Sequence, residues 1–249
     1  MIRIVSLNIW QEQGPWEKRL ELVKRELPKL KPDVICLQEV REVSGKIPNQ
    51  AEALARSFGM EFVYETAQEW GGGLEGLAIL SRHSIAKHVV RELPFSQGSS
   101  RRICLGASII TPDGSTWVFN THLAYRPIDG VMRERQVHEV DRFVRECQGD
   151  ATVVLLAGDF NTVPDSDEMR FLRGLTSIQG ERTYYQDAFA TCNPGDDGIT
   201  WSSANPYTKS LEWLPSDRRL DYIFVSARRK NGSGTIYACR LVLTEPDEH

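Results

Sequence analysis

Apolar and polar residues recur with two periods along the chain, and the switches between them mark its elements. Residues 2–7 read as a strand that ends at Asn8. Pro15 then opens a helix in which Trp16, Leu20, Val23, Leu27 and Leu30 share one face, and Pro32 stops it. Val34 to Leu37 form a second strand, which closes on Gln38-Glu39. Ala51, Leu54, Ala55 and Phe58 fall on one side of a helix over 49–58. Strands are expected at 60–66, 76–81, 85–93, 102–111 and 115–122, the last two joined as a hairpin by the turn TPDG at 111–114. Val137, Val140, Val144 and Cys147 define a helix over 130–147. The run 152–158 is β-branched and leucine-rich, the pattern of a strand buried on both faces. Pro164 and Asp165 with Glu168 look like a helix start. Residues 176–218, rich in Gly, Asn, Asp, Ser and Pro, read as long loops, and 220–225 and 235–243 as final strands.

One arrangement occurs twice: a helix, a short connection, an apolar strand and then an acid, as KPDVICLQE and as GDATVVLLAGD. It puts Glu39 and Asp159 at equivalent ends of buried strands. Asn8, Asn120, His122, Asn161 and Asp221 also lie at or near strand ends. In an extended chain residues i and i+2 point the same way, so Asn120 with His122, and Asp159 with Asn161, are expected to project together. One Gly-Asp-Phe-Asn ending is an ordinary turn. Acids, amides and a histidine at several strand ends are more than turns, and ligands bind where strand ends cluster. Oxygen ligands without cysteine favour a hard cation, Mg²⁺ or Mn²⁺, over zinc. Acids, amides and a histidine around such an ion point to phosphate ester hydrolysis. No serine or cysteine has an obvious base partner, which argues against a covalent nucleophile.

Composition narrows the partners. The chain has 249 residues, a net charge of −4 and a pI near 5.8, so a strongly basic surface for nucleic acid is not indicated. The first residues already read as a strand, which leaves no room for a signal peptide. No apolar run approaches the roughly 20 residues of a membrane span. Five scattered cysteines, none in a C-x-x-C pair, argue against a zinc site or a disulfide framework. They fit a reducing compartment, so a cytoplasmic protein is expected. No linker divides the chain, and no protein partner is indicated.

The motifs SLNIW, LQEV, EGLAILSR, NTHLAY, GDFNT and RLDYIFV occur in this order. With them the chain resembles the endonuclease/exonuclease/phosphatase superfamily, the DNase I-like fold, from residue 4 to about 225. The resemblance implies an α/β four-layer sandwich: two packed mixed β-sheets flanked by helices, one domain over 1–249, its active site where the loops of the sheets meet. It implies a metal site at Glu39 with Asn8 beside it. Asp159 and Asn161 would position the attacking water and the phosphate. His122 would contact the phosphoryl oxygens or the leaving group, acting as a cation. Glu75 matches a position where some family nucleases carry a glutamate paired with this histidine, and Asp221 an aspartate that orients a second histidine. The implied reaction is in-line attack of water on a phosphoester with Mg²⁺ or Mn²⁺. The base would be the GDFN aspartate or a terminal histidine. The substrate would be a nucleic acid, a lipid head group or a small molecule. Arg101, Arg102, Arg126 and Asn120 are candidates to bind it. The family's Ser-Asp-His segment is absent from the sequence, and His249 does not stand in one. The expectation is that the natural protein continues. The alternative is a non-catalytic binding module that has lost its last motif.

Overall fold

The computed structural model describes residues 1–151, 153–210 and 216–245. Strands β1 (Ile4–Asn8), β2 (Val34–Glu42), β3 (Glu61–Trp70) and β4 (Gly73–Ser81) form one sheet in the order β1-β2-β4-β3. β1 and β2 run parallel, which requires a crossover, supplied by helix α1 (Trp16–Glu26). Helix α2 (Gln50–Phe58) follows β2. Asn49 caps its start by accepting from the amides of Ala51 and Glu52, and Gly59 at φ 63° closes it.

The second sheet contains β5 (Ile85–Glu92), β6 (Ile103–Thr111), β7 (Gly114–His122), β8 (Val153–Asp159), β9 (Tyr185–Asp187) and β10 (Asp221–Ser226), ordered β5-β6-β7-β8-β10-β9. Here β7 and β8 are parallel, joined through helix α3 (Gly130–Gln148). The repeated helix–strand–acid pattern is therefore the same unit used once per sheet: a parallel strand pair with its crossover helix. Helices α4 (Asp167–Leu172) and α5 (Ala188–Cys192) complete the set.

Three apolar clusters fill the spaces between four layers. Val23 and Leu54 pack the first two helices, and Leu27 the turn that follows α1, on Ile35, Leu37, Ala78 and Leu80. Cys36 and Ile79 meet Leu105, Val118 and Ala157 between the sheets. Val137, Val140 and Phe171 cover Phe119, Leu156 and Phe224 on the far side. Alternate residues of β2 thus serve different layers, which is why the strand reads as an unbroken apolar run. The result is the expected α/β/β/α sandwich. Among the described residues no helix is long and apolar enough to cross a membrane.

The structure departs from the sequence reading in several places. The first α-helix ends at Glu26, and Leu27–Leu30 tighten into a 3₁₀ turn around Pro28, which has no amide to donate. β2 does not stop at Leu37. It bulges, with Glu39 at φ 55°, and pairs again from Val40 to Glu42. The loop region holds β9 and α5, too short to leave a periodic trace, with Asp187 capping the helix. Residues 235–243 form no strand. Ile236, Cys239 and Leu243 tuck singly against the cores, and Asn193 Nδ2 donates to the Cys239 carbonyl. His249 lies outside the described residues.

Asn120 is also corrected. It is fully buried between the sheets. Its Nδ2 donates to the carbonyls of Leu37 and Ala78 at 2.8 and 3.0 Å, beside the bulge, and its Oδ1 accepts from Gln38 Nε2 at 2.7 Å. Every polar atom of the side chain is engaged in pinning one sheet to the other, so none is left for a substrate. Leaving a buried polar group unpaired costs about 1–3 kcal/mol. Asn120→Ala should therefore lower unfolding free energy by about 2–4 kcal/mol in urea titrations. A stability near wild type would mean that the clamp carries no weight.

Candidate active site

Register brings three of the motif residues into one row. His122 pairs with Asp159 across β7 and β8, and Asp159 pairs with Asp221 across β8 and β10. Gly158 makes the close approach possible: it sits at φ 151°, and a Cβ there would fall 2.0 Å from the Thr121 carbonyl oxygen. From the other sheet, Asn8 ends β1 and Glu39 stands on the β2 bulge. Asn8 Nδ2 donates to Glu39 Oε1 at 2.9 Å and to Asp159 Oδ2 at 3.0 Å. His122 Nε2 lies 3.7 Å from Asp159 Oδ2 and 4.0 Å from Glu39 Oε1. Five of the predicted residues, Asn8, Glu39, His122, Asp159 and Asp221, thus meet at the seam of the sheets.

Three details revise the expectations. Asn8 turns its amide nitrogen, not its oxygen, toward the acids, because two carboxylates need a donor between them. Its Oδ1 accepts from the Trp10 amide at 2.9 Å. Asn161 does not extend the strand. At φ 52° it closes a turn in which its amide donates to Asp159 Oδ1 at 2.9 Å and its Nδ2 donates to the Leu123 carbonyl. Glu75 does not touch His122. It accepts from Gln11 Nε2 at 2.8 Å and Gln68 Nε2 at 3.0 Å, and Arg102 stands between it and the histidine.

Backbone strain gathers around the cleft. Trp10, Gln11, Glu39 and Asn161 all have positive φ, in a region that costs non-glycine residues energy and survives only where the surroundings enforce it. Arginines do much of the enforcing. Arg19 donates to the carbonyls of Ile9, Trp10, Gln11 and Gln13, gathering the loop after Asn8. The fully buried Arg41 pairs with Glu12 and donates to the carbonyls of Trp70 and Gly71, tying that loop to the β3–β4 hairpin. Arg133, paired with Glu168 at 2.8 Å, donates to the carbonyls of Ala124 and Arg126 and so fixes the loop after His122.

The charges are crowded. Burial, with Glu75 and Asp159 nearby, pushes the Glu39 carboxyl up to about 7, against the pull of the Asn8 hydrogen bond. Burial and the neighbouring Asp221 hold Asp159 well above the ordinary range. Asp221 is raised as well, mainly by burial, although Thr200 bonds it and accepts from its amide. Burial first, and Arg102 second, push His122 well below its ordinary value. Both causes disfavour the charged form expected of this ring. Of the arginines, Arg101 is exposed, pairs with Glu92 and lies over Phe95. Arg126 is exposed four residues past His122. Arg102 is buried, and nothing in the spacing of the sequence marked it as the partner of the histidine.

The fold and this cleft define a class, and the comparisons agree. A model of the Endonuclease/Exonuclease/phosphatase family matches residues 5–239, and the chain belongs to that family. It is 29% identical over 173 residues to Protein angel of Drosophila melanogaster, covering 64% of this chain and 47% of that protein. It is 28% identical over 188 residues to the 2',5'-phosphodiesterase 12 of Homo sapiens, covering 62% of this chain and 29% of that one. The chain thus spans less than half the length of these curated relatives. Among solved structures, the human Nocturnin catalytic domain with bound sulfate superposes with a TM-score of 0.70 at 18% identity, over 91% of this chain and 82% of that one. The D. rerio TDP2 complex with single-strand DNA product gives 0.70 at 20% identity, over 90% and 83%.

A carboxyl whose pKa is raised by folding binds its proton more tightly in the native state, so stability falls as pH rises from the unfolded value through the folded one. For Glu39 that window runs from 4.5 to about 7. Without divalent cations, the thermal midpoint should decline across it, and Glu39→Gln should flatten the decline. The loss from this group is at most about 3 kcal/mol. A pH profile of Glu39→Gln that superposes on wild type would show that the acid is not under strain.

Proposed function

We propose that the chain hydrolyses phosphodiester bonds by in-line attack of water in this cleft. The observation that carries the reading is the meeting, at one seam, of acids from both sheets with a histidine ring nitrogen facing them. Asp159 takes the proton of the attacking water. Burial and Asp221 hold its pKa high, near the range where a general base works at neutral pH. Asn161 keeps Asp159 in place through its amide, and leaves the turn rigid enough to hold the water. His122 donates from Nε2 to a phosphoryl oxygen as negative charge grows there. The water oxygen bonds to phosphorus, the ester oxygen leaves, and solvent protonates it. Arg126, exposed and with its backbone held by Arg133, would meet a further phosphate.

The donor set suits a divalent cation such as Mg²⁺ or Mn²⁺. Glu39, Asp159 and Asp221 are hard oxygen donors, raised and mutually repelling, with Arg102 the guanidinium that enters the charge balance of Glu39 and Asp159. Glu39 would hold the ion, which would supply Lewis acidity toward the phosphoryl oxygen. Two relatives bear on the substrate: one is named a 2',5'-phosphodiesterase, and another is solved with a single-strand DNA product. They support an oligonucleotide as the first class to try.

Turnover of bis(p-nitrophenyl) phosphate by the full chain should require Mg²⁺ or Mn²⁺ and stop with EDTA. Asp159→Asn and His122→Ala should each lower kcat by about 10²–10⁴. The double variant should lose less than the product of the two, as groups acting in one step do. Near-wild-type turnover by either folded variant would overturn the assignment. A chain that binds a phosphodiester analogue without turnover under any metal would favour the binding module.

A further inference from the structure

We propose that Arg102, held by Glu75, is a positioning residue that fixes His122 as the neutral tautomer with its proton on Nε2. The proposal concerns the ring itself, and rests on the hydrolase reading only for its effect on turnover. Arg102 Nη1 lies 2.9 Å from His122 Nδ1. A guanidinium has five donors and no acceptor, and it does not deprotonate in proteins. Nδ1 must therefore be the nitrogen with the lone pair, and the ring proton sits on Nε2. That nitrogen is the one facing Asp159 and Glu39, at 3.7 and 4.0 Å.

Glu75 keeps Arg102 in this role. Its Oε1 is 3.5 Å from the same Nη1, while Oε2 is occupied by Gln11 and Gln68. All three members of the relay are buried: Arg102 is 5% exposed, Glu75 4% and His122 5%. An arginine that binds a substrate phosphate needs an open guanidinium, which Arg102 lacks. Glu75 also offsets its charge, so His122 feels a directed donor rather than a free cation. The cleft thereby receives one N–H whose direction is set by hydrogen bonds behind the ring, in the manner of the outer partners that fix ligating histidines.

Two-bond ¹H–¹⁵N correlation spectra of the metal-free, ¹⁵N-labelled full chain read the tautomer directly. The His122 peaks are assigned by their loss in His122→Gln. At neutral pH the wild type should show a protonated Nε2 and an unprotonated Nδ1. Arg102→Gln keeps a donor and should keep that pattern. Arg102→Met keeps bulk without a donor, so the proton should no longer be confined to Nε2 and the Nδ1–H form should appear beside it. Its kcat should fall about 10²–10³-fold, the loss seen when a transition-state donor is removed, with KM changed much less. Arg102→Gln should recover most of that loss. An imidazolium or an Nδ1–H ring in the wild type would overturn the proposal even if Arg102→Met does not fold. So would an unchanged pattern in a folded Arg102→Met. The expected spectrum in a wild type that turns over no phosphodiester would uphold the tautomer and overturn the hydrolase reading.

Discussion

The Asn8 amide nitrogen stands between carboxylates of two different sheets, 2.9 Å from Glu39 and 3.0 Å from Asp159. Keeping these acids together, buried and beside Asp221, is the constraint that the rest of the cleft answers. Like charges drawn out of water repel strongly and resist ionisation. A fold selected for stability alone would separate them. Here each is delivered by a rigid element: Asp159 by the end of a central strand, Glu39 by a bulge locked into the ladder on both sides. The crossover units fix both positions at once, so the spacing of the acids is set by sheet-on-sheet packing rather than by loops. Sites on strands hold geometry better than sites on loops.

The strain at Trp10, Gln11, Glu39 and Asn161 belongs to the same account. Such conformations persist only where their surroundings over-determine them. In this chain the surroundings include arginines, buried or half-buried, each ending on several carbonyl oxygens. Arg19 collects four along the loop after Asn8, and Arg133 reaches the loop after His122. A planar fork with five donors does this better than any other side chain. The same residue type that sequence reading assigns to phosphate binding is used here to hold backbone in shape.

That double use explains what was legible in the sequence and what was not. Strands, crossover helices and the acids at strand ends announce themselves, because burial on two faces and a final polar residue leave a local pattern. The four layers follow from the same pattern. Partnerships across the sandwich leave none. Asn120 looks like the twin of His122 two residues on, yet it faces Gln38 and the bulge at Leu37, and only the packing of the sheets reveals it. Asn161 shares a motif with Asp159, but reaches it through a turn that extended-chain geometry cannot foresee. Arg102 is twenty residues from His122 in sequence and bonded to it in space. Residues 235–243 alternate like a strand, and are in fact three separate anchors.

A neutral, directed histidine changes how labour divides in the cleft. A cationic His122 would offset the Glu39–Asp159 pair and lower both carboxyls, leaving Asp159 a weak base. A neutral ring leaves Arg102, already shared between Glu75 and the ring, as the nearby cation that offsets Glu39 and Asp159. On the proposed reading, Asp159 would then stay high enough to accept a proton near neutrality, with the remaining negative charge open to a divalent ion. On that reading, the placement of one buried guanidinium would decide two things together: which group acts as donor, and how strong the base beside it is.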